Sequence, residues 1–206
     1  MTGDPFPASV VVRGTTEADL RQVLRVCTAA WRAAYQGILP PAYLDAVDDG
    51  PDSLAQAVRR FRSRPASQHH LVAEWDGTVA GFATCGPERI VPTHSAQGGR
   101  SGEVYALYVH PDVWNRGIGT RLFEASRELL ARDGFDTITL WVLQDNIHAR
   151  RFYTSRRLHP NGAYSRLQLG GVLLPELQYE GTAGHPPLRR AHPRPGAAGV
   201  IPPVAS

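Results

Sequence analysis

Apolar residues recur along this chain at two spacings, one typical of helices and the other of strands. They follow helical spacing from Glu17 to about Tyr35, and two further helical stretches span 116–132 and 146–156. A weaker helical stretch, which starts at Pro41 or Asp52 and ends near residue 64, follows the first. The spacing therefore predicts four helical regions.

Short apolar runs bounded by turn residues predict seven strands. They span 10–13, 71–75, 78–84, 103–109, 137–142, 163–169 and 172–179. The pairs Asp76-Gly77 and Gly170-Gly171 are tight-turn signals, so we expect a hairpin around each. Antiparallel strands that lead into a β-α-β-α segment predict an α/β domain, whose mixed, mostly antiparallel sheet is flanked by helices.

Composition divides the chain into an N-terminal arm, one domain and a tail. The chain has 206 residues, 42% of them hydrophobic and 20% charged, which suits a single globular domain. We assign residues 1–9 to the arm, 10–180 to the domain and 181–206 to the tail. Because the tail is rich in Gly, Pro, Ala and Arg and has few apolar residues, we expect it to be disordered.

The charge pattern and the apolar runs exclude several classes of protein. The net charge is only +3, and the arginines alternate with acidic residues through the helices, so we expect no nucleic-acid partner. No apolar run reaches the ~18 residues of a membrane span, and the N-terminus does not resemble a signal peptide. We therefore expect a cytoplasmic protein without a membrane partner. The histidines and two cysteines lack metal-ligand spacing, so we expect no metal.

The most informative motif is a glycine-bearing turn between a predicted strand and a predicted helix. The strand ends at Val109, and Arg116-Gly117-Ile118-Gly119 opens the helix. Unpaired N–H groups at a helix N-terminus bind phosphate, and glycines let the backbone approach it. A P-loop would need a Gly-Lys pair, and the dinucleotide fingerprint would need glycine in place of Leu122. A helix cap without a ligand would use the same glycines, so the local motif leaves both interpretations open.

In its wider context this motif resembles the pyrophosphate-binding segment of the GNAT superfamily of N-acetyltransferases, in its bacterial single-domain branch. The resemblance covers roughly residues 10–180. The segment 102–109 is similar to the family's central strand, 140–153 to the next strand and helix, and 31–40 to a lid segment. The chain departs from the family pattern at Trp114, where Gln or Arg is usual, and at Arg157, where Gly is usual.

The resemblance implies acetyl-CoA as co-substrate and direct attack by a primary amine in a ternary complex. It implies donor contacts from Leu107, Tyr108, Val109, Arg116, Gly117, Ile118, Gly119, Thr120 and Asn146. An alkylamine is mostly protonated at neutral pH, and releasing the free base costs on the order of 4 kcal/mol. Glu103 is the candidate general base, and Tyr153 matches the family's general acid.

Each of these residues also has a structural interpretation. Glu103 could be a strand-end charge or part of an ion pair, and Tyr153 could serve packing alone. The aromatic residues Trp31, Tyr35, Tyr105 and Trp141 are candidates for an acceptor pocket, or for the core.

The acceptor itself is left open by the sequence. We expect a small-molecule amine or a peptide amine. One alternative is a protein N-terminal or lysine acetyltransferase, and another is a non-catalytic, CoA-binding regulatory or interaction domain. A homodimer also stays open, because the family is frequently dimeric.

Overall fold

The computed structural model describes residues 10–89 and 100–184. The helices are α1 (Leu20–Ala34), α2 (Pro41–Ala46), α3 (Pro51–Arg62), α4 (Ile118–Arg132) and α5 (Ile147–Ser155). The strands are β1 (Val11–Gly14), β2 (His69–Trp75), β3 (Thr78–Pro87), β4 (Ser101–Val109), β5 (Thr137–Leu143), β6 (His159–Leu169) and β7 (Val172–Thr182). The weaker helical stretch is therefore two helices, because residues 47–50 interrupt it.

The strands form one sheet in the order β1-β2-β3-β4-β5-β7-β6. Neighbouring strands are antiparallel except β4 and β5, which are parallel for three residue pairs. The prediction of a mixed, mostly antiparallel sheet is confirmed. In the turn between β2 and β3, Asp76 and Gly77 have φ values of 50° and 73°, the left-handed conformation that a tight hairpin requires.

Helices cover both faces of the sheet. On one face α1 contributes Val26 to a cluster with Val72 and Phe82. On the other face α4 contributes Ile118 and Leu122 to a cluster with small and aliphatic residues of β2 and β3. Because side chains alternate across a strand, burial of both faces explains the nearly continuous apolar runs in β2 and β3.

An ion-pair cluster fixes the start of α1 against the sheet. Arg13 on β1 donates to both carboxylate oxygens of Asp19 at 2.8 Å and pairs with Glu74 on β2. The Arg13 guanidinium holds the pKa of the Asp19 carboxyl well below its usual range. This arrangement orients the helix that carries Trp31 and that Tyr35 caps at its C-terminus.

The sheet extends past the predicted end of the domain. β7 continues to Thr182, and the N–H of the buried Ala183 donates to the carbonyl of Asp136 at 2.9 Å. The predicted boundary between domain and tail at residue 181 is therefore wrong, because Gly181 and Thr182 pair with β5. Residues 185–206 of the predicted tail, and the arm at 1–9, lie outside the described residues.

In the part of the chain that the structure describes, no helix combines the length and the apolar character needed to cross a membrane.

The departure at Arg157 has a defined conformation. Arg157 follows α5 and has a φ of 63°, the left-handed region that glycine adopts most readily. Its side chain is exposed. Glycine at this position would remove backbone strain of about 1–2 kcal/mol, partly offset by the greater freedom of glycine in the unfolded chain.

We therefore expect Arg157→Gly to raise the free energy of unfolding by about 0.5–1 kcal/mol, measured by urea denaturation. The matched control is Arg151→Gly, which lies exposed inside α5 and should destabilise the protein by about 1 kcal/mol. Equal destabilisation by both changes would contradict this account of Arg157.

Candidate functional site

The candidate site is a cleft that opens where β4 and β5 separate. The two strands pair only at Ser101–Glu103 with Thr137–Thr139, whereas β4 stays paired with β3 as far as Val109. The edge of β4 that faces β5 is thus free of strand partners beyond Glu103. The cleft has a volume of about 430 Å³, and residues 104–109 of β4 line it. It therefore contains the predicted backbone contacts Leu107, Tyr108 and Val109.

The glycine turn closes one end of this cleft. Gly117 precedes α4 with a φ of 79°, and Gly117, Ile118, Gly119 and Thr120 all line the cleft. The first backbone N–H groups of a helix lack intrahelical partners, so this end favours an anion. The predicted role of Arg116 is not supported by this geometry, because its exposed side chain lies over the ring of Trp75 and outside the lining.

A different arginine lies at the turn. Arg156 lines the cleft and donates from Nη2 to the hydroxyl of Thr120 on α4. Its guanidinium also lies 4.5 Å from the centroid of the Phe152 ring. The sequence analysis missed Arg156, since every basic residue of the chain is an arginine and nothing local separates this one from its neighbours.

Trp114, the second departure from the family pattern, is part of the cleft wall. Its indole N–H donates to the carbonyl of Val109 at 2.8 Å, and its ring stacks on His148 at a centroid distance of 5.2 Å. Trp114 thus connects the turn to the end of β4 and to α5.

The helix α5 closes the cleft on the β5 side. Asn146 caps this helix, since its Oδ1 accepts from the N–H of Ala149 at 3.0 Å, and the side chain also borders the cleft. Tyr153 on α5 is buried, and burial raises the pKa of its hydroxyl well above the ordinary value. The phenol is therefore protonated at neutral pH. Among the described residues no hydrogen bond engages this hydroxyl.

A second cavity of about 420 Å³ adjoins the first. The two share a wall of four aromatic residues, Tyr35, Tyr105, Tyr108 and Trp141. The hydroxyls of Tyr35 and Tyr108 lie 3.1 Å apart in this wall. Trp31 lines the second cavity and not the first. The second cavity thus contains all four aromatic residues predicted for an acceptor pocket, which are Trp31, Tyr35, Tyr105 and Trp141.

Glu103 also lines the second cavity, and it is engaged in an ion pair. Its side chain is 1% exposed, and Arg89 binds it through Nη2 to Oε1 at 2.5 Å and through the backbone N–H to Oε2 at 3.0 Å. The ion-pair interpretation of Glu103 is thus realised in this conformation. Its role as general base stays a prediction, and it requires Arg89 to release at least one oxygen.

No three His, Cys, Asp or Glu side chains in the described ranges 10–89 and 100–184 converge on a point that could hold a metal ion.

By sequence this chain is similar to N-acetyltransferases, and by structure it shares their fold. The model of the acetyltransferase (GNAT) family matches residues 29–158. The N-acetyltransferase YuaI of Bacillus subtilis is 28% identical over 82% of this chain and 90% of its own length. A mycothiol acetyltransferase of Frankia casuarinae is 31% identical, but the match covers 59% of this chain and only 36% of that protein.

Solved structures share the fold at low identity. The PaiA N-acetyltransferase of Thermoplasma acidophilum, solved with coenzyme A, superposes with a TM-score of 0.60 at 20% identity and covers 84% of this chain and 99% of its own. YncA of Salmonella typhimurium, solved with acetyl-CoA, has a TM-score of 0.61 at 19% identity over 93% of this chain and 100% of its own.

The glycine turn can be tested by filling it. A Cβ on Gly119 would lie 3.4 Å from the Phe152 ring, an ordinary contact, so Gly119→Val should fold while its branched side chain blocks the space over the helix N-terminus. We expect the affinity for CoA to fall by at least about 10²-fold in calorimetry, since hydrogen bonds to charged groups contribute about 1.5–3 kcal/mol each.

The matched control is Gly14→Val, where a Cβ would meet nothing within 4 Å at the end of β1. Its affinity should equal that of the wild type. Unchanged CoA binding by a folded Gly119→Val protein would show that the turn is not the donor site.

Proposed function

The chain belongs to the acetyltransferase (GNAT) family, and we propose that this N-acetyltransferase moves the acetyl group of acetyl-CoA onto a primary amine by direct attack in a ternary complex. The observation that carries the proposal is the wall of four aromatic residues shared by two cavities. One cavity ends at the N-terminus of α4, a position suited to binding phosphate, and the other contains the carboxylates of Glu103 and Glu176. A donor and an acceptor bound on opposite sides of this wall would meet at its edge.

The first cavity suits the donor. The free edge of β4 offers backbone N–H groups near Leu107 and Val109, which can bind an amide-containing arm and polarise a thioester carbonyl. The N-terminus of α4, with Arg156 beside it, suits a pyrophosphate. Glycines at 117 and 119 leave room for its approach.

Proton transfer divides between the two cavities. A carboxylate of the second cavity, Glu103 or Glu176, accepts the amine proton. Tyr153 in the first cavity donates a hydrogen bond to the leaving sulfur. Because burial raises the pKa of Tyr153, the hydroxyl retains its proton and acts chiefly as a hydrogen-bond donor.

The direct test is amine-dependent release of the CoA thiol, with mass spectrometry of the acetylated product. The panel contains alkylamines, arylalkylamines, a peptide with a free N-terminus and a peptide with an internal lysine. We expect turnover with free amines. Turnover with peptides alone would favour the protein acetyltransferase alternative, and CoA binding without turnover on any amine would favour a non-catalytic domain.

Tyr153→Phe tests the leaving-group role. We expect kcat to fall by about 10²-fold or more with unchanged CoA affinity, because the ring is kept and only the donor is lost. Higher pH should not restore the rate, since deprotonating the amine does not replace the missing donor.

The matched control is Tyr164→Phe, which removes an exposed hydroxyl on β6 and should leave kcat unchanged. Full activity of Tyr153→Phe would refute the assignment.

A further inference from the structure

The second cavity holds two carboxylates in different surroundings. Glu103 lies at the last residue pair between β4 and β5. Glu176 lies on β7, opposite Leu143 of β5 and Ser165 of β6, and all of these residues line the cavity. The two carboxylates thus approach the same space from different strands.

The surroundings of Glu103 do not favour proton transfer. Arg89 donates to both of its oxygens, and the Arg89 guanidinium lies 4.4 Å from the centroid of the Tyr105 ring. A general base needs a lone pair within hydrogen-bond reach of the proton that it takes. Arg89 would have to leave both Glu103 and the Tyr105 ring before Glu103 could offer a lone pair.

The surroundings of Glu176 are more open. No hydrogen bond or ion pair holds its carboxylate within the described part of the chain, and the residue is partly buried. The charged and titratable side chains that line the same cavity are Tyr35, Arg89, Glu103, Tyr105 and Tyr108. Arg89 is the cation among them, and its hydrogen bonds go to Glu103. Among the described residues, Glu176 therefore has no bonded counter-charge.

We propose that Glu176 binds the ammonium group of the acceptor and takes its proton, and that the acceptor is an alkyl- or arylalkylammonium without a neighbouring carboxylate. This inference rests on the proposed function and deepens it. Aromatic walls attract a cation through their ring faces. A carboxylate next to the amine would face Glu176 at close range and be repelled.

The step conserves atoms and charge. Glu176 takes one proton from R–NH₃⁺, and the freed nitrogen lone pair forms the C–N bond with the thioester carbon. The C–S bond breaks, its electron pair stays on sulfur, and sulfur gains a proton as the nitrogen loses its second one. Glu176 then releases its proton to solvent, which leaves the amide and the CoA thiol.

Burial makes Glu176 a better proton acceptor than an exposed carboxylate. Desolvation is the main cause that raises its pKa, with Glu103 also raising it and Arg89 opposing. A base must be ionised to act, so wild-type kcat/KM should rise with pH through this raised pKa and then level off. Without Glu176 the enzyme depends on free amine, whose fraction grows up to a pH of about 10.

The kinetic test compares three isosteric changes with the best acceptor of the amine panel. Glu176→Gln should lower kcat/KM at neutral pH by about 10²–10⁴-fold. The difference from the wild type should shrink as the pH approaches the pKa of the amine, where much of the substrate is already deprotonated. Glu103→Gln should lower the melting temperature, because Arg89 loses its partner, and should keep the wild-type shape of the pH profile. Glu180 lies on the same strand as Glu176 but outside the cavity lining, so Glu180→Gln should change neither kcat/KM nor the melting temperature.

The acceptor class is tested with matched pairs of amines that differ by one carboxylate, such as phenethylamine and phenylalanine. We expect the amine without the carboxylate to have the higher kcat/KM by at least about tenfold. Preference for the carboxylate-bearing member would overturn the acceptor class.

Two results would overturn the role of Glu176 and leave the proposed function intact. One is wild-type activity in Glu176→Gln. The other is recovery at high pH in Glu103→Gln and not in Glu176→Gln, which would make Glu103 the base.

A binding measurement separates this inference from a failure of the proposed function. Benzyltrimethylammonium carries a cation and a ring but cannot be acetylated. We expect calorimetry to show that it binds the wild type and binds Glu176→Gln at least about tenfold more weakly. Equal binding would overturn the ammonium site even in an active enzyme. Weaker binding by the variant would support that site even if no amine were acetylated.

Discussion

The separation of β4 from β5 is the constraint on which the rest of the site depends. These strands are parallel and pair for only three residues, so the backbone of β4 beyond Glu103 has partners on the β3 side alone. Unpaired backbone groups need hydrogen-bond partners, and a cleft that admits a ligand or water supplies them. The same separation leaves space for α4 to begin at one side of the cleft and for α5 to border the other.

The separation also creates two compartments that meet at a shared aromatic wall. Tyr35 follows the last residue of α1, Tyr105 and Tyr108 lie on β4, and Trp141 lies on β5. Segments that are distant in sequence therefore form the wall between the two cavities. The anchoring of α1 by Arg13 and Asp19 helps to fix this wall, because a shift of α1 would move Tyr35.

The departures from the family pattern are accommodated by local structure. Trp114 replaces a polar contact with a hydrogen bond to Val109 and a stacking contact with His148. Arg157 adopts the left-handed conformation usually given to glycine, so α5 still ends at the expected place. Arg156 lies where it can supply the positive charge that the sequence suggested for Arg116.

The sequence by itself determined the helices, the strands, the class of sheet and the glycine turn, because each depends on spacing within one segment. The helical spacing that predicts α1 and the Asp76-Gly77 pair that predicts a hairpin can both be read without reference to distant residues. The resemblance to a family motif predicted donor contacts at residues that, apart from Arg116, line the first cavity.

Only the tertiary structure decided which side chains share a cavity. Arg156 reaches Thr120 across 36 residues, and Glu176 on β7 lines the same cavity as Glu103 on β4 although β5 lies between their strands. The pairing of Arg89 with Glu103 occupies the carboxylate that looked most suited to catalysis. Such contacts depend on how packed elements meet, and no local pattern of hydrophobic and polar residues encodes that meeting.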